Sequence, residues 1–331
     1  MDREVRQMKV GIMSFAHIHA TSYANAIQKI PNVELVAIYD TDITRGQQAS
    51  EQFGVPFYSD VTSFLQQPIE VVLVCSENSL HKEMVIAAAH AKKHILCEKP
   101  IATTIDDAKE MINVCEQQGV ELSIAYPVRY SLPIRKLKAE IDAGLLGEII
   151  AIRSTNRGQN PGGWFIDPKF AGGGAVLDHT VHMVDIMRWY MNSEVVAVDA
   201  FADQYFTDLQ LDDAGIMTLE FDNGVIASHD ASWSRFPHFP TWGDVLIEVI
   251  GTKGARLVDV YAQSVEMYHP SSKSYEKRYV GNDTDFDLIV DFLQAIQQKK
   301  RPLISGYDGL KTLEVALAAY ASNDKQSTVK L

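Results

Sequence analysis

Short apolar runs alternate with stretches of helical periodicity up to about residue 126 of the chain. The strand-like runs cover residues 9–13, 33–39, 69–75, 94–97 and 121–125. The helical patterns between them cover residues 19–30, 80–91 and 105–118. The run at 69–75 is nearly all apolar, as expected of a strand that is covered on both faces. Alternation of this kind predicts a parallel, doubly wound sheet.

The pattern changes after residue 126. Helical patterns at 132–143 and from the Gly172-Gly173-Gly174 turn to about residue 190 come first. They are followed by strand-like runs at 195–205, 213–221, 225–233, 244–250, 255–260 and 265–268, and by helical patterns at 285–298 and 309–321. Asp222-Asn223-Gly224 is a strong hairpin-turn signal. We therefore predict an α/β Rossmann domain over residues 1–126 and an α+β domain, with a large and mostly antiparallel sheet, over residues 127–331.

Composition and charge restrict the partners and the setting of the protein. The 331 residues include 43 acidic and 30 basic side chains, for a formal net charge of −13, and no basic block, so we expect no nucleic-acid partner. No apolar run approaches the roughly 20 residues that cross a bilayer, so we expect no membrane partner. Cys75, Cys97 and Cys115 form no CxxC pair, and the charged start of the chain does not resemble a signal peptide, which favours a cytoplasmic setting.

The first strand leads into a loop that partly matches the dinucleotide fingerprint G-x-G-x-x-G/A. Gly11 and Ala16 fit the first and last positions, but Met13 replaces the middle glycine and is expected to crowd a pyrophosphate. The second strand ends at Asp40, whose carboxylate suits the hydroxyls of an adenosine ribose and repels a 2′-phosphate. These features predict NAD, with NADP less favoured, although Arg45 would soften the discrimination. The residues alone leave open a turn that binds nothing, with Asp40 as a helix N-cap.

Two later strand ends place polar residues at the carboxyl edge of the predicted sheet, where ligands of doubly wound folds bind. Ser76, Asn78 and His81 follow the third long strand, and Glu98-Lys99-Pro100 follows the fourth. The alternatives are a helix start at residues 79–81 without a ligand and an ordinary charge pair at residues 98–99.

These motifs resemble those of the glucose–fructose oxidoreductase, inositol dehydrogenase and rhizopine-catabolism (Gfo/Idh/MocA) family, and the resemblance covers nearly the whole chain. The elements that carry it are Gly11 to His19 (the family's GxGxxGxxH with one glycine lost), Asp40, Asn78 with His81, Glu98-Lys99-Pro100, Arg129, Gly144 to Gly147, Gly172-Gly173-Gly174, and Asp178 with His182. The EKP element followed by three glycines and D-x-x-x-H is highly specific. The chain departs from the family at Met13 and at Thr180, where glycine is usual.

The resemblance implies a nicotinamide cofactor held by the first domain, and a second domain that binds substrate and forms the oligomer contacts. The candidate cofactor contacts are Gly11, Ser14, Phe15, Ala16, His17, Asp40, Ser76, Asn78, His81, Glu98, Lys99 and Arg129. In the family, the lysine of EKP and both residues of D-x-x-x-H face the nicotinamide, which implies catalytic roles for Lys99, Asp178 and His182. The family commonly pairs the antiparallel sheet across a two-fold axis, so we expect a homodimer or homotetramer.

Side-chain chemistry agrees with the catalytic roles that the resemblance implies. Asp178 and His182 are four residues apart and share one face of a predicted helix. An imidazole suits the removal of a proton from a hydroxyl whose carbon gives up a hydride. A cationic Lys99 can hydrogen-bond the developing alkoxide. Without the family, an aspartate–histidine pair of this spacing is more often a surface or capping pair.

A polyol site needs several donors and acceptors and a flat apolar platform. The candidate substrate contacts are Lys99, Arg157, Trp164, Asp178, His179 and His182. Trp164 is the favoured platform, with a core tryptophan that braces the loop as the alternative, and the alternative for Arg157 is a solvated face. Asp178 and its neighbouring histidines are also compatible with a metal site completed by His229 or His238. No spacing among them is diagnostic, so we expect no metal.

We therefore predict an NAD(P)-dependent oxidoreductase that oxidises a secondary alcohol of a sugar, cyclitol or related polyol, or runs the reverse reduction, with NAD preferred. One alternative is a non-catalytic regulator that senses a dinucleotide or another ligand on the same fold, which Met13 slightly favours. Another is a hydrolase or lyase that oxidises its substrate transiently with tightly held NAD. The set of Lys99, Asp178 and His182 favours the dehydrogenase, because a sensor needs no proton acceptor.

Overall fold

The computed structural model of the protein describes residues 7–331, which form two compact units. Unit 1 runs from the start of the described chain to Pro127 and also includes Lys169–Gly172 and Asp285–Leu313. Unit 2 comprises Val128–Pro168, Gly173–Thr284 and Glu314–Leu331. The first boundary is close to the expected one at residue 126, but two later segments return to unit 1, which the sequence analysis did not anticipate.

Unit 1 contains the predicted parallel sheet of six strands. They are β1 (Met8–Met13), β2 (Val33–Tyr39), β3 (Phe57–Tyr58), β4 (Val71–Val74), β5 (His94–Cys97) and β6 (Leu122–Ile124), arranged in the order β3-β2-β1-β4-β5-β6. The intervening helices are α1 (His19–Lys29), α2 (Ile43–Phe53), α3 (Val61–Leu65), α4 (His81–His90) and α5 (Ile105–Gln118). All four residues of β4 are buried, as its apolar sequence predicts. The order confirms the doubly wound sheet and places the ends of β1, β2, β4 and β5 along one edge.

Unit 2 is built on a sheet of seven strands. They are β7 (Ile149–Gly158), β8 (Val195–Asp203), β9 (Ala214–Phe221), β10 (Ile226–Ser232), β11 (Gly243–Gly251), β12 (Gly254–Asp259) and β15 (Val329–Lys330), in the order β12-β11-β7-β10-β9-β8-β15. All neighbours are antiparallel except β7 and β10, which confirms the mostly antiparallel sheet. The hairpin between β9 and β10 turns at Gly224 with a φ of +84°, as its sequence predicts.

Helices cover one face of this second sheet. Unit 2 contains α6 (Leu132–Asp142), and α7 (Pro168–Ala171) precedes the glycine turn. The central helix α8 (Ala175–Met191) contacts β7, β9 and β10, and nearly every one of its side chains is buried. Because α8 is enclosed by the core, side chains in its first turns are held in fixed positions.

The remaining elements are a separate hairpin and two helices near the end of the chain. The hairpin pairs β13 (Ser264–His269) with β14 (Ser274–Tyr279). The helices are α9 (Thr284–Gln297) and α10 (Gly306–Lys325). Only the first strand of this hairpin was predicted, because β14 carries charged residues in place of apolar ones.

The face of the seven-stranded sheet opposite α8 carries exposed apolar side chains. Phe201 of β8 lies directly opposite Ile216 of β9, and they are 61% and 63% exposed. Leu257 of β12 is 68% exposed. We call Phe201, Ile216 and Leu257 the open-face patch. Within residues 7–331, no helix combines the length and apolar character that a membrane span requires.

Candidate active site

The loop after β1 turns at Ser14, whereas the fingerprint match places the turn at Gly11, three residues earlier. Ser14 has a φ of +73°, in the left-handed region that the first glycine of such a loop normally occupies. Gly11 lies inside β1, where a Cβ would collide with Phe64 and Ile69. Met13 ends β1 with a fully buried side chain. The Met13 side chain thus packs in the core of unit 1 and Gly11 packs within the sheet, and the predicted effects of both residues on a bound cofactor stay predictions.

Asp40, directly after β2, is fully buried and surrounded by hydrogen-bond donors. Its Oδ2 accepts from the Phe15 backbone N–H at 2.8 Å and from the Ser14 hydroxyl at 3.3 Å, and its Oδ1 accepts from the Asp42 N–H at 3.0 Å. Arg45 adds two more bonds, from Nε to Oδ2 at 2.8 Å and from Nη2 to Oδ1 at 2.7 Å. The carboxylate predicted to face a ribose is thus enclosed, and the partly exposed Arg45 guanidinium lies over it.

His81 joins two strand ends of the parallel sheet. Its ring is fully buried, with Nδ1 2.9 Å from the Pro100 carbonyl oxygen and Nε2 3.3 Å from the Ser76 carbonyl oxygen. Burial lowers the pKa of His81, so the ring is neutral. Because both ring nitrogens lie near backbone carbonyls, His81 braces these two strand ends, and its predicted cofactor contact stays a prediction.

Glu98 forms a buried polar cluster with two histidines at the end of β5. Its Oε1 lies 3.1 Å from His19 Nδ1 and 3.5 Å from His17 Nδ1, and its Oε2 accepts from the Lys99 backbone N–H at 3.2 Å. Burial alone would raise the pKa of Glu98, but His17 and His19 hold it well below its usual range. Burial likewise opposes the charge on His19, but Glu98 raises its pKa above the ordinary value. This carboxylate–imidazolium pair fixes the backbone that carries Lys99.

The same cluster is a potential group of metal donors. Among residues 7–331, His17, His19 and Glu98 are the one set of three whose donor atoms all lie within 4.8 Å of one another. The metal site considered around Asp178 and its neighbouring histidines is not formed by the described residues. The hydrogen bonds account for the His17–His19–Glu98 cluster, and we assign no metal to it.

The carboxyl edge of unit 1 has the groups that a dinucleotide requires. Helix α1 begins after Ile18, and His17 accepts from its first N–H groups, with Nδ1 3.2 Å from the His19 nitrogen and the carbonyl oxygen 3.1 Å from the Ala20 nitrogen. Asn78 donates Nδ2 to the Ala171 carbonyl oxygen at 2.9 Å, whereas its buried Oδ1 has no hydrogen-bond partner among residues 7–331. Glu77 Oε2 is also buried and unpartnered among those residues. These acceptors fit the hydroxyl and amide donors of a bound dinucleotide.

In unit 2, Asp212 and Tyr320 hold the first turn of α8. The Asp212 carboxylate accepts from the Gly174 N–H at 3.0 Å and from the Val176 N–H at 2.8 Å. The Tyr320 hydroxyl donates to Asp212 at 2.7 Å. A Cβ on Gly174 would collide with the Asp212 backbone, which explains one glycine of the three-glycine turn. The helix start that carries Asp178 is therefore rigid.

Asp178 is held by two neighbours within unit 2. Its Oδ2 accepts a hydrogen bond from Trp233 Nε1 at 3.2 Å and lies 3.2 Å from His179 Nε2. The other ring nitrogen of His179 is 2.9 Å from the Asn156 carbonyl oxygen. Both nitrogens of His179 thus face protein oxygens, and its predicted substrate contact stays a prediction. His182 is buried one helical turn after Asp178, as its spacing predicts.

Arg157 lies on the other face of the sheet from Asp178. Alternation along β7 turns Asn156 toward α8, where its Nδ2 donates to the His179 carbonyl oxygen at 3.2 Å, and turns the next side chain away. Arg157 Nε donates to Asp244 at 3.0 Å, beside the open-face patch. This position agrees with the alternative of a solvated face, and the predicted substrate contact of Arg157 stays a prediction.

Two other predicted site residues have contacts that leave their predicted roles open. Trp164 is half-buried and stacks on Phe165 with ring centroids 3.8 Å apart, which suits either a platform or a brace. Arg129 is buried in unit 2, where its guanidinium pairs with both carboxylate oxygens of Asp185 and lies over the Trp189 ring. This ion pair is a structural contact that the motif alone does not show.

His229 of β10 is a buried residue that the sequence analysis considered only as a metal ligand. Its Nδ1 lies 2.8 Å from the Ser154 hydroxyl, and its Nε2 has no hydrogen-bond partner among residues 7–331. Burial, and then the nearby His179, lower the pKa of His229 to about 3, so the ring is neutral. Alternation of side chains along β10 places His229 on the sheet face toward α8. This position could be inferred from the sequence once β10 is recognised as a strand.

Comparison with known proteins agrees with this arrangement. The model of the oxidoreductase family with an NAD-binding Rossmann fold matches residues 8–126, and that of the GFO/IDH/MocA C-terminal domain matches residues 134–256. A myo-inositol 2-dehydrogenase of Thermotoga maritima is 29% identical, covering 98% of both chains, and a 1,5-anhydro-D-fructose reductase of Ensifer adhaerens is 30% identical, covering 86% of this chain and 87% of the relative.

A solved structure of a probable dehydrogenase from Thermotoga maritima aligns with a TM-score of 0.85 at 28% identity, covering 98% of each chain. That structure shares the overall architecture, and the two family models between them match most of both units. The chain therefore belongs to the GFO/IDH/MocA family of NAD-binding oxidoreductases.

Proposed function

We propose that this protein is an NAD-dependent dehydrogenase that oxidises a secondary alcohol of a sugar, cyclitol or related polyol, or catalyses the reverse reduction. The observation that carries the proposal is the fixed carboxylate of Asp178 one helical turn before His182, at a rigid helix start. The names of the two relatives support the substrate class, since they denote oxidoreduction of a cyclitol and of an anhydrosugar.

Each proposed catalytic residue handles one part of the alcohol. When bound, NAD supplies the hydride acceptor, and the chain supplies orientation and charge. His182 accepts the hydroxyl proton, and the ammonium group of Lys99 hydrogen-bonds the oxygen as negative charge develops on it. Asp178 orients the hydroxyl. The pattern of EKP and D-x-x-x-H supports the joint action of these residues, and the contacts that fix Asp178 and the Lys99 backbone support their rigidity.

A panel of cyclitols, aldoses and anhydrosugars incubated with NAD tests the proposal by the appearance of NADH. We expect at least one cyclic polyol to give steady turnover. A protein that binds the dinucleotide but forms NADH with no member of the panel would contradict it. In that case, product formation without net NADH would identify a lyase or hydrolase, and no reaction would favour the sensor.

We expect Arg45 to raise the affinity for NADP and so to reduce the preference for NAD. Its guanidinium neutralises Asp40 and is the charge nearest the surface at the end of β2, so a 2′-phosphate meets a cation before it meets the carboxylate. Arg45→Ala removes that cation and uncovers Asp40. We expect NADP affinity to fall about 10-fold or more, the loss typical of a charge-assisted hydrogen bond, while NAD affinity changes less.

Fluorescence titration of both cofactors measures this change. Arg256→Ala removes a paired surface arginine of unit 2 and serves as the matched control, which should leave both affinities unchanged. Equal weakening of NAD and NADP in Arg45→Ala would show that Arg45 holds the loop and does not read the ribose.

The open-face patch is expected to form a homodimer contact. Three large apolar side chains on one sheet face remain exposed in the single chain, and helices cover only the opposite face. Ile216→Lys should shift the protein toward monomer in light scattering at micromolar concentration. Ile43→Lys, at an exposed isoleucine of α2, is the control and should not. A monomeric wild-type protein would refute the assignment.

A further inference from the structure

Trp233 is a buried tryptophan of unit 2 that is not among the proposed catalytic residues. It follows β10 and is 4% exposed, and its backbone N–H donates to the Asp213 carbonyl oxygen at 2.7 Å. Its indole Nε1 donates to Asp178 Oδ2 at 3.2 Å. A buried indole N–H usually has one partner, and here that partner is a carboxylate proposed to orient the substrate.

His179 approaches the same carboxylate oxygen from the helix. Its Nδ1 lies 2.9 Å from the Asn156 carbonyl oxygen, which can only accept, so Nδ1 carries a proton. Its Nε2 lies 3.2 Å from Asp178 Oδ2, so the ring packs directly against that oxygen. Asn156 Nδ2 also donates to the His179 carbonyl oxygen, which fixes the residue at both ends.

We propose that Trp233 and His179 are positioning residues that hold Asp178 at a single oxygen, Oδ2, the first through an indole hydrogen bond and the second through a ring contact of 3.2 Å. The indole hydrogen bond comes from the residue after β10 and the ring contact from α8, and together they restrain rotation of the carboxylate about its Cβ–Cγ bond. The orientation of the carboxylate is then set before substrate binds, which is the condition for an effective orienting group. This inference rests on the proposed dehydrogenase function.

The packing around the His179 ring supports a dedicated arrangement. Gly158 on β7 leaves space for the ring, since a Cβ there would lie 3.0 Å from His179 Cε1. Asp178 lies in the first turn of α8, where the helix dipole stabilises a carboxylate. Its side chain is only 14% exposed, so its hydrogen bonds are shielded from water and hold it firmly.

Trp233→Phe tests the proposal because it keeps an aromatic ring and removes only the N–H donor. We expect kcat to fall about 10- to 100-fold, the range for a lost hydrogen bond to a charged group, with a much smaller change in KM. Trp189→Phe is the matched control in the same unit, where the indole contacts Arg129 and Lys138, and should leave kcat unchanged.

A double-variant cycle with Asp178→Ala separates positioning from general stability. If Trp233 acts through Asp178, Trp233→Phe has little further effect on kcat in the Asp178→Ala background. The same fold loss in both backgrounds would overturn the proposal. His179→Gln should likewise lower kcat in the wild-type background and have little further effect on kcat in the Asp178→Ala background.

Indole N–H resonances give a readout that does not depend on activity. The chain has four tryptophans, so the Trp233 signal is assigned by its absence in Trp233→Phe. We expect Asp178→Ala to shift that signal and speed its exchange with solvent. An unchanged signal would overturn the proposal even in an active enzyme. Absence of NADH formation by the wild type with a normal Trp233 signal would instead count against the proposed function.

Discussion

Lys99→Ala and His182→Ala should each lower turnover by about 10²- to 10⁴-fold, the range for loss of a general acid–base group. His182 is proposed to take the hydroxyl proton, and Lys99 is proposed to stabilise the charge left on the oxygen. Because both act on the same O–H bond, the losses should add incompletely in the double variant. NAD binding and the unfolding transition should change little, since neither side chain builds the nucleotide loop. Steady-state NADH formation and fluorescence titration measure these effects.

The pH dependence of turnover tests the His182 role separately. An imidazole must be neutral to accept a proton, so oxidation should rise with pH as the His182 ring loses its proton. That rise should vanish in His182→Ala. Lys109→Ala and His90→Ala remove exposed residues of α5 and α4 and are the matched controls. Wild-type turnover in Lys99→Ala or His182→Ala on the true substrate would refute the catalytic assignment and favour the sensor.

Much of the fold follows from periodicity, and its gaps have physical causes. Strand β2 and helix α5 match their predicted bounds because a compact apolar run and a capped amphipathic segment are both strong local signals. Strand β7 was not anticipated although it lies near the centre of its sheet. Its inward positions include Ser154, Asn156 and Gly158, so the alternation of apolar residues that marks a strand is absent.

In the candidate site, contacts between residues close in the chain could be predicted from the sequence, and contacts between distant residues could not. Asp178 and His182 are found together because four residues on a helix share one face. Arg45 lies over Asp40 because of the way the chain turns between β2 and α2. The sequence indicates only that the two charged residues are close together in the chain. The bond from Trp233 to Asp178 joins residues 55 apart in the chain, and no motif encodes it. Contacts of this kind need the tertiary structure.

Glu98→Gln should destabilise the protein by about 1.5–3 kcal/mol near pH 6, the value for hydrogen bonds to a charged group. Glu98 is fully buried and bonded to His19 and to the Lys99 backbone. The pKa of Glu98 lies well below the usual range in the folded state. Its contribution to the free energy of unfolding is therefore present above about pH 4.3 and is lost only in acid. The pKa of His19 is raised in the folded state. Its contribution to the free energy of unfolding is therefore fully present below about pH 6.5 and is lost as the pH rises through the raised pKa.

The stability difference between wild type and Glu98→Gln should therefore be largest near pH 5–6 and shrink as pH rises toward 8, because His19 then loses its charge in the folded wild type. Urea unfolding at several pH values measures this difference. His19→Gln should remove the same pH-dependent part, and combining it with Glu98→Gln should add little, since the two residues form one pair. Glu116→Gln, at an exposed carboxylate of α5, is the control. A difference that does not vary between pH 5 and pH 8 would show that Glu98 acts through packing alone and that no charged pair forms with His19.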